Sequence, residues 1–215
     1  MTAPIDVYAF ATPNSVKVPI ALEELGAAYK LHSVNVRKAE QKTPAFVTMN
    51  PNAKVPVIFD PDGPEGRPVT IVESGAILMY LAEKFGGLLP TGGAARVRCL
   101  EWLFFQVAGL GPMFGQAGYF LKSAPLRVDF AVERYSGEAR RHVQVLDARL
   151  KEHPWAAGET YTIADIALFG WIWRRAFAGV ELDDAPNVVR WLAAMEARPA
   201  VQRGVRAVEA LVPPA

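Results

Sequence analysis

The apolar positions fall into two regimes along the chain. Through Gly86 they form short runs broken by Pro, Gly, Asn and Asp; beyond it they recur at helical spacing over long stretches. Ile5 to Phe10 reads as a strand entering a core. Thr12-Pro13-Asn14-Ser15 is a turn rich in capping side chains. Val16 to Leu25 then carries apolar residues at helical spacing and stops at Gly26. Tyr29 to Val36 alternates as a second strand, and Pro44 to Met49 is a short helix or turn. Val57 to Phe59 and Val69 to Val72 form a hairpin across Asp60-Pro61-Asp62-Gly63-Pro64. Ser74 to Phe85 is amphipathic, with Leu78, Leu81, Ala82 and Phe85 at helical spacing, and Gly86-Gly87 stops it. The order is βαβ followed by ββα. That is the thioredoxin-like arrangement, in which a parallel crossover joins an antiparallel hairpin.

From Ala94 the pattern is helical throughout. Ala94 to Leu121 is long and apolar, with a bend expected at Gly109-Leu110-Gly111-Pro112, where proline disrupts the ladder. Val128 to Glu152 places Tyr135, Ala139, Val143, Leu146 and Leu150 on one stripe. Tyr161 to Asp165 is a helix start: Thr162 caps it, Asp165 returns the bond, and Tyr161 can staple to Ile166. Ile163 to Ala178 is nearly all apolar, as a buried central helix would be, and Asn187 to Ala197 and Val201 to Leu211 follow. The expected organisation is an α/β thioredoxin-like domain over residues 1–86, a linker at 87–93 and an all-α domain over 94–215.

Composition narrows the function. The 215 residues are 51% hydrophobic with a mean hydropathy of +0.13, enough for a substantial core. The 23 basic and 22 acidic residues leave a net charge of +1, with no block of either sign, which argues against nucleic acid or an anionic membrane as main partner. No apolar run approaches the ~18 residues of a membrane span. The N-terminus lacks the basic-then-apolar order of a signal peptide, so the cytoplasm is the expected location. The single cysteine, Cys99, excludes an internal disulfide and a Cys-based zinc site; on a helix, it is expected to be buried and inert. His32, His142 and His153 are scattered without metal or triad spacing, and no metal is expected.

The stretch Asn50 to Ala76 carries the candidate chemistry. Pro56, at the first residue of a strand, gives no N–H to the ladder and can hold a cis bond. The backbone of Val55 is then placed to pair with an extended peptide-like ligand. Ser74 and Gly75 open a helix and offer free N–H groups and partial positive charge to a carboxylate, while Glu73 at the same corner can receive an ammonium. Such a receptor suits a short extended molecule bearing both groups, and glutathione has that description. Where thioredoxin-like redox proteins carry a Cys-x-x-Cys pair, this chain has Thr12-Pro13-Asn14-Ser15. Any reacting sulfur must therefore come from the ligand. A ligand thiol near a helix N-terminus, with the Thr12 hydroxyl and Asn14 amide as donors, is shifted toward the thiolate that attacks disulfides or electrophiles. Each residue also has a plainer reading. Thr12 and Asn14 can simply cap the first helix, Pro56 can be an edge-strand proline, and Glu73 and Ser74 can be an ordinary helix start.

Val55-Pro56 followed by Glu73-Ser74-Gly75-Ala76-Ile77 resembles the glutathione-binding half of cytosolic glutathione transferases. Thr12-Pro13-Asn14, Leu22-Glu23-Glu24, Asn50 to Pro56, Trp102 to Gln106, Gly109 to Met113 and Ile163 to Ala167 are similar, in order, to the Nu class of that superfamily. The resemblance implies Thr12 and Asn14 beside the glutathione sulfur, Gln41 against the glycine carboxylate and a contact from the Lys54 loop. Without it, Gln41 and Lys54 would read as surface loop. It also implies an apolar second-substrate side, for which Phe105, Met113, Tyr119 and Arg134 are candidates, although core packing is their plainer role. Tyr8, inside the first strand, is assigned to the core. The activity implied is reduction of small disulfides through bound glutathione. Conjugation of glutathione to electrophiles and a non-catalytic glutathione-binding module are the alternatives. The family also implies a homodimer, with Ala76 to Tyr80 and Arg96 to Phe104 at its interface.

Overall fold

The computed structural model describes residues 3–213. Its contacts divide it into two units: one runs to Gly87 and takes in the chain again from Arg198, and the other is Leu88–Ala197.

The first unit contains β1 (Ile5–Ala9), α1 (Lys17–Leu25), β2 (Tyr29–Ser33), α2 (Pro44–Met49), β3 (Val57–Asp60), β4 (Val69–Val72) and α3 (Ser74–Phe85). The sheet order is β2-β1-β3-β4. β1 pairs parallel with β2, with Val7 opposite Leu31, and antiparallel with β3, with Val7 opposite Ile58; β3 and β4 close the hairpin, with Ile58 opposite Ile71. Along β1, Ile5, Val7 and Ala9 are buried while Asp6 and Tyr8 are half-buried, the alternation that a strand between two layers requires. One layer is α1 and α3, which pack together. α1 buries Val18, Ile20, Ala21 and Leu22, and each large aliphatic burial stabilises by about 1.5–3 kcal/mol. Gly26 ends α1 at φ +64°, a left-handed conformation that glycine adopts without penalty. The other face carries a smaller cluster of Val34, Phe46 and Val57, with Tyr8, Met49, Val55 and Val72 against it. Tyr8 also stacks on His32, ring centroids 4.8 Å apart.

β2 ends three residues before the sequence pattern does. The Asn35 side chain accepts from the N–H groups of Arg37 (3.0 Å) and Lys38 (3.3 Å), drawing the backbone into a 3-10 turn. The last helix, α9 (Pro199–Glu209), packs on α1. Arg198 forks onto Glu24 at 2.6 and 2.9 Å, and Arg203 reaches Glu23 at 2.5 Å. Gly204 lets the backbones close: a Cβ there would lie 2.6 Å from Ile20 Cγ1 and 2.8 Å from its nitrogen.

The second unit is helical: α4 (Gly93–Phe104), α5 (Gly111–Lys122), α6 (Asp129–Glu152), α7 (Ile163–Trp173) and α8 (Pro186–Glu196). Between α4 and α5, Phe105–Leu110 forms a stretch of π-helix. The irregularity overlaps the first two residues of the bend expected at Gly109-Leu110-Gly111-Pro112, but proline is not its cause, because Pro112 occupies the first turn of α5, where its missing N–H costs nothing. α7 is the buried centre, and Thr162 and Asp165 form the expected capping box. Tyr161 packs edge-on against Trp155, centroids 5.1 Å apart. The apolar run predicted as one helix to Ala178 stops at Trp173; a separate 3-10 turn, Arg175–Phe177, follows, and Gly179 reverses the chain at φ +65°.

Candidate active site

The β1–α1 turn brings three short polar side chains together. The Thr12 hydroxyl accepts from the Ser15 N–H at 3.1 Å and donates to Ser15 Oγ at 2.9 Å, while Ser15 Oγ accepts from the Phe10 N–H at 3.4 Å. Thr12 therefore caps the turn. Asn14 Oδ1 accepts 2.8 Å from Nζ of Lys17, the first residue of α1. The same ammonium donates to Ser74 Oγ at 3.2 Å, so one buried cation joins the first turns of α1 and α3. Lys17 is only 1% exposed. Burial brings its pKa down to about 7, with the Glu73 carboxylate working in the opposite direction.

Across the cleft, the peptide bond between Val55 and Pro56 is cis. The loop before it is shaped by asparagines. Asn50 donates to the Lys54 carbonyl at 2.7 Å and accepts from the Asn52 N–H at 3.0 Å; Asn52 donates to Glu73 Oε1 at 3.5 Å. Glu73 enters α3 at φ +66°, a left-handed conformation that costs a non-glycine residue about 1–3 kcal/mol and that surrounding structure must hold. Its carboxylate is exposed beside the buried Ser74.

These elements enclose a small cleft of about 40 Å³ lined by Asn14, Asn50, Lys54, Val55, Pro56, Glu73 and Ser74. The predicted residues Asn14, Lys54, Val55, Pro56, Glu73 and Ser74 thus converge. Gly75 is the next residue in the first turn of α3, and Thr12 sits two residues before Asn14. Gln41 is not among the lining residues; it lies in the 3-10 turn Glu40–Lys42, where its Oε1 is buried without a hydrogen-bond partner among the described residues. In the helical unit, Phe105 lines a groove of about 220 Å³ with Arg98, Glu101, Trp102 and Val145. Met113 is half-buried on α5, Tyr119 is exposed and edge-on to Phe120, and Arg134 is exposed on α6. Cys99 is buried on α4, and burial pushes its thiol pKa up.

Sequence reading missed Lys17, Asn50 and Asn52. A signal for Lys17 was present: it is a lone cation inside the apolar run Val16 to Ala21, three residues after Asn14, a spacing that faces the two side chains on a helical turn. The cleft pairs helix-start N–H groups with a carboxylate, an amide and a buried cation. It can therefore seat the carboxylate-and-ammonium end of a longer ligand and stabilise an anion beside Asn14. Among the described residues no group of three or more His, Cys, Asp and Glu is placed to hold a metal, and no helix is long and apolar enough to cross a membrane.

Comparison with known proteins agrees with this architecture. Residues 3–83 match the glutathione S-transferase N-terminal domain, and residues 112–199 match the C-terminal domain. The disulfide-bond oxidoreductase YfcG of Escherichia coli K12 is 43% identical over 199 residues, covering 91% of this chain and 92% of that one. Among solved structures, a glutathione transferase from Burkholderia graminis with two glutathione molecules per subunit superposes with a TM-score of 0.90 at 44% identity, over 95% of this chain and 88% of the other. One from Pseudomonas putida, with a glutathione disulfide bound per subunit, gives 0.88 at 43%, over 94% and 91%. The chain belongs to the glutathione S-transferase family.

Proposed function

We propose that this protein is a glutathione-dependent disulfide oxidoreductase that reduces small disulfides. The observation that carries the reading is the β1–α1 turn. It holds no cysteine, and the chain's single thiol is buried on α4, so the reacting sulfur is the ligand's. Glutathione lies extended against the Val55 backbone, before cis Pro56. The N–H groups of Ser74 and Gly75 take its γ-glutamyl carboxylate, and Glu73 takes the ammonium. Lys54 and Gln41 serve the glycine carboxylate, the latter being outside the cleft as lined. Thr12 and Asn14 are assigned to the sulfur side, with the Asn14 amide as the donor, since the Thr12 proton goes to Ser15 Oγ.

The bound thiolate attacks one sulfur of the disulfide. A glutathione–substrate mixed disulfide forms, and the second sulfur leaves as a thiolate that takes a proton from water. A second glutathione then attacks the mixed disulfide, so that two glutathiones and one disulfide give glutathione disulfide and two thiols. Relatives solved with two glutathiones, or with glutathione disulfide, support that stoichiometry. Phe105, Met113, Tyr119 and Arg134 of the helical domain, residues 94–215, are assigned to the second substrate, and residues 1–86 to glutathione. The protein acts as a cytoplasmic homodimer, with Ala76 to Tyr80 and Arg96 to Phe104 at the interface; sedimentation as a monomer at micromolar concentration would refute that assembly.

The test is paired turnover of wild type and Asn14→Ala. One assay reduces 2-hydroxyethyl disulfide with glutathione, and the other conjugates glutathione to chlorodinitrobenzene. Strong disulfide reduction that falls about 10–100-fold in the variant, the loss of one charge-assisted hydrogen bond, with weak conjugation, supports the reading. Strong conjugation with little disulfide turnover would replace it by transferase chemistry.

A further inference from the structure

We infer that Lys17 is a positioning residue for the glutathione sulfur, holding the Asn14 amide with its oxygen turned into the protein and its NH2 turned to the cleft. The inference rests on the glutathione reading of that cleft. An asparagine side chain carries an acceptor on one arm and donors on the other, and neighbours decide which arm faces a ligand. Lys17 Nζ donates to the amide oxygen, Oδ1, at 2.8 Å, and in the protonated lysine, which has no lone pair, this is the one orientation of the amide that bonds. Asn14 also lines the cleft, so the arm opposite Lys17 presents a donor to whatever sits there. A donor stabilises a thiolate; an acceptor in the same place would repel it.

The second contact of Lys17 works at the other end of the ligand. By donating to Ser74 Oγ at 3.2 Å, Nζ occupies a lone pair of that hydroxyl, leaving its proton to be donated elsewhere. One buried cation thus sets donor polarity at both the sulfur end and the carboxylate end. A charge taken out of water is costly, and the neighbours Val16, Val18 and Ile20 are apolar and buried. Joining α1 to α3 does not by itself require a cation at that position, since apolar packing already does so along the rest of the helix.

The test compares Lys17→Met, Asn14→Ala and Asn14→Asp with wild type. The readouts are glutathione affinity, the ultraviolet titration of the bound thiol to thiolate, and turnover of 2-hydroxyethyl disulfide. Lys17→Met should weaken glutathione affinity severalfold through Ser74, raise the bound-thiol titration by about one unit or more, and lower kcat about tenfold. Combining it with Asn14→Ala should add little, because the two side chains act as a unit. Asn14→Asp keeps an oxygen for Lys17 and turns a second oxygen to the cleft. It should therefore raise the thiol titration beyond Asn14→Ala. An unchanged titration in Lys17→Met, or an Asn14→Asp no worse than Asn14→Ala, would overturn the inference. Should Lys17→Met not fold, Lys17→Gln takes its place with the same readouts, since an amide can donate or accept and no longer dictates which arm of Asn14 turns inward. A wild type that binds no glutathione would overturn both this inference and the functional reading, whereas binding with normal thiol titration in every variant overturns this one only.

Discussion

The carboxylate of Asp165 accepts a 3.0 Å hydrogen bond from the indole N–H of Trp191, 26 positions along the chain and inside the helical core. The same carboxylate accepts from the N–H groups of Ala156 (2.9 Å) and Thr162 (3.0 Å). Burial pushes its pKa up, and these donors pull against it.

Asp165→Ala would leave the buried donors of Ala156, Thr162 and Trp191 unmet, at about 1–3 kcal/mol each. We expect a loss of roughly 3 kcal/mol or more, read as a fall of roughly 10 °C in Tm. A loss below about 1 kcal/mol would show that water replaces the carboxylate there.

Lys17 governs a pH dependence. Its folded pKa of about 7 lies below the ordinary 10.5, so between those values the folded state binds fewer protons than the unfolded chain. Stability of the ligand-free protein therefore rises with pH across that window, by up to about 1.4 kcal/mol per unit. Below it, folding buries a charge. Glu73 is the carboxylate that moderates the effect. Urea unfolding at a series of pH values should show this slope in wild type and a flatter one in Lys17→Met; equal slopes would exclude Lys17 as its source.

Asp60 gives a slope of the same sign in the acid range, but from favourable partners rather than from burial. Burial pushes its carboxyl up, but bonds from Lys84 and Tyr80, both at 2.5 Å, and from the Asp62 N–H outweigh that and hold it below the usual range. A carboxyl so held contributes stability above its unfolded pKa and loses it as pH falls through the folded value. Asp60→Asn should cost about 1–3 kcal/mol at neutral pH, with the gap to wild type closing in acid. A pH-independent gap would assign the loss to shape alone.

Gly204→Ala sets two effects against each other. Alanine gains about 1 kcal/mol of helix propensity. The new Cβ meets the Ile20 backbone at 2.8 Å, where relief requires α9 to lift from α1, typically a cost of 1–3 kcal/mol. Because the obstacle is backbone and the buried contact is widely shared, net destabilisation is expected in urea unfolding; a stabilised variant would show the two helices adjust freely.

The legible parts of the fold were those set by local pattern. α3 was read to both ends because its stripe is regular, glycines stop it, and Ser74 opens it. The Thr162–Asp165 box was read because both bonds lie within one turn. The cleft's Val55-Pro56 and Glu73-Ser74 pairs were visible as local chemistry. Lys17 showed only as a lone cation in an apolar run; its contact with Ser74, 57 positions away, is not local, and a lysine at a helix start is ordinarily solvated. The end of α7 was misjudged because an apolar run reports burial rather than conformation: Ala178 is buried without belonging to the helix. The π stretch was legible only at its end, where Gly109 and Leu110 fall in the expected bend; Phe105, Gln106 and Val107 are ordinary helix residues.

The return of α9 to α1 has a consequence for synthesis. As the chain leaves the ribosome, the first unit is made up to Gly87, yet its closing helix follows only after Leu88–Ala197 has been translated. Throughout that interval Ile20 and its neighbours lack their cover, and Glu23 and Glu24 lack Arg203 and Arg198. The half that holds the candidate cleft is begun first and completed last.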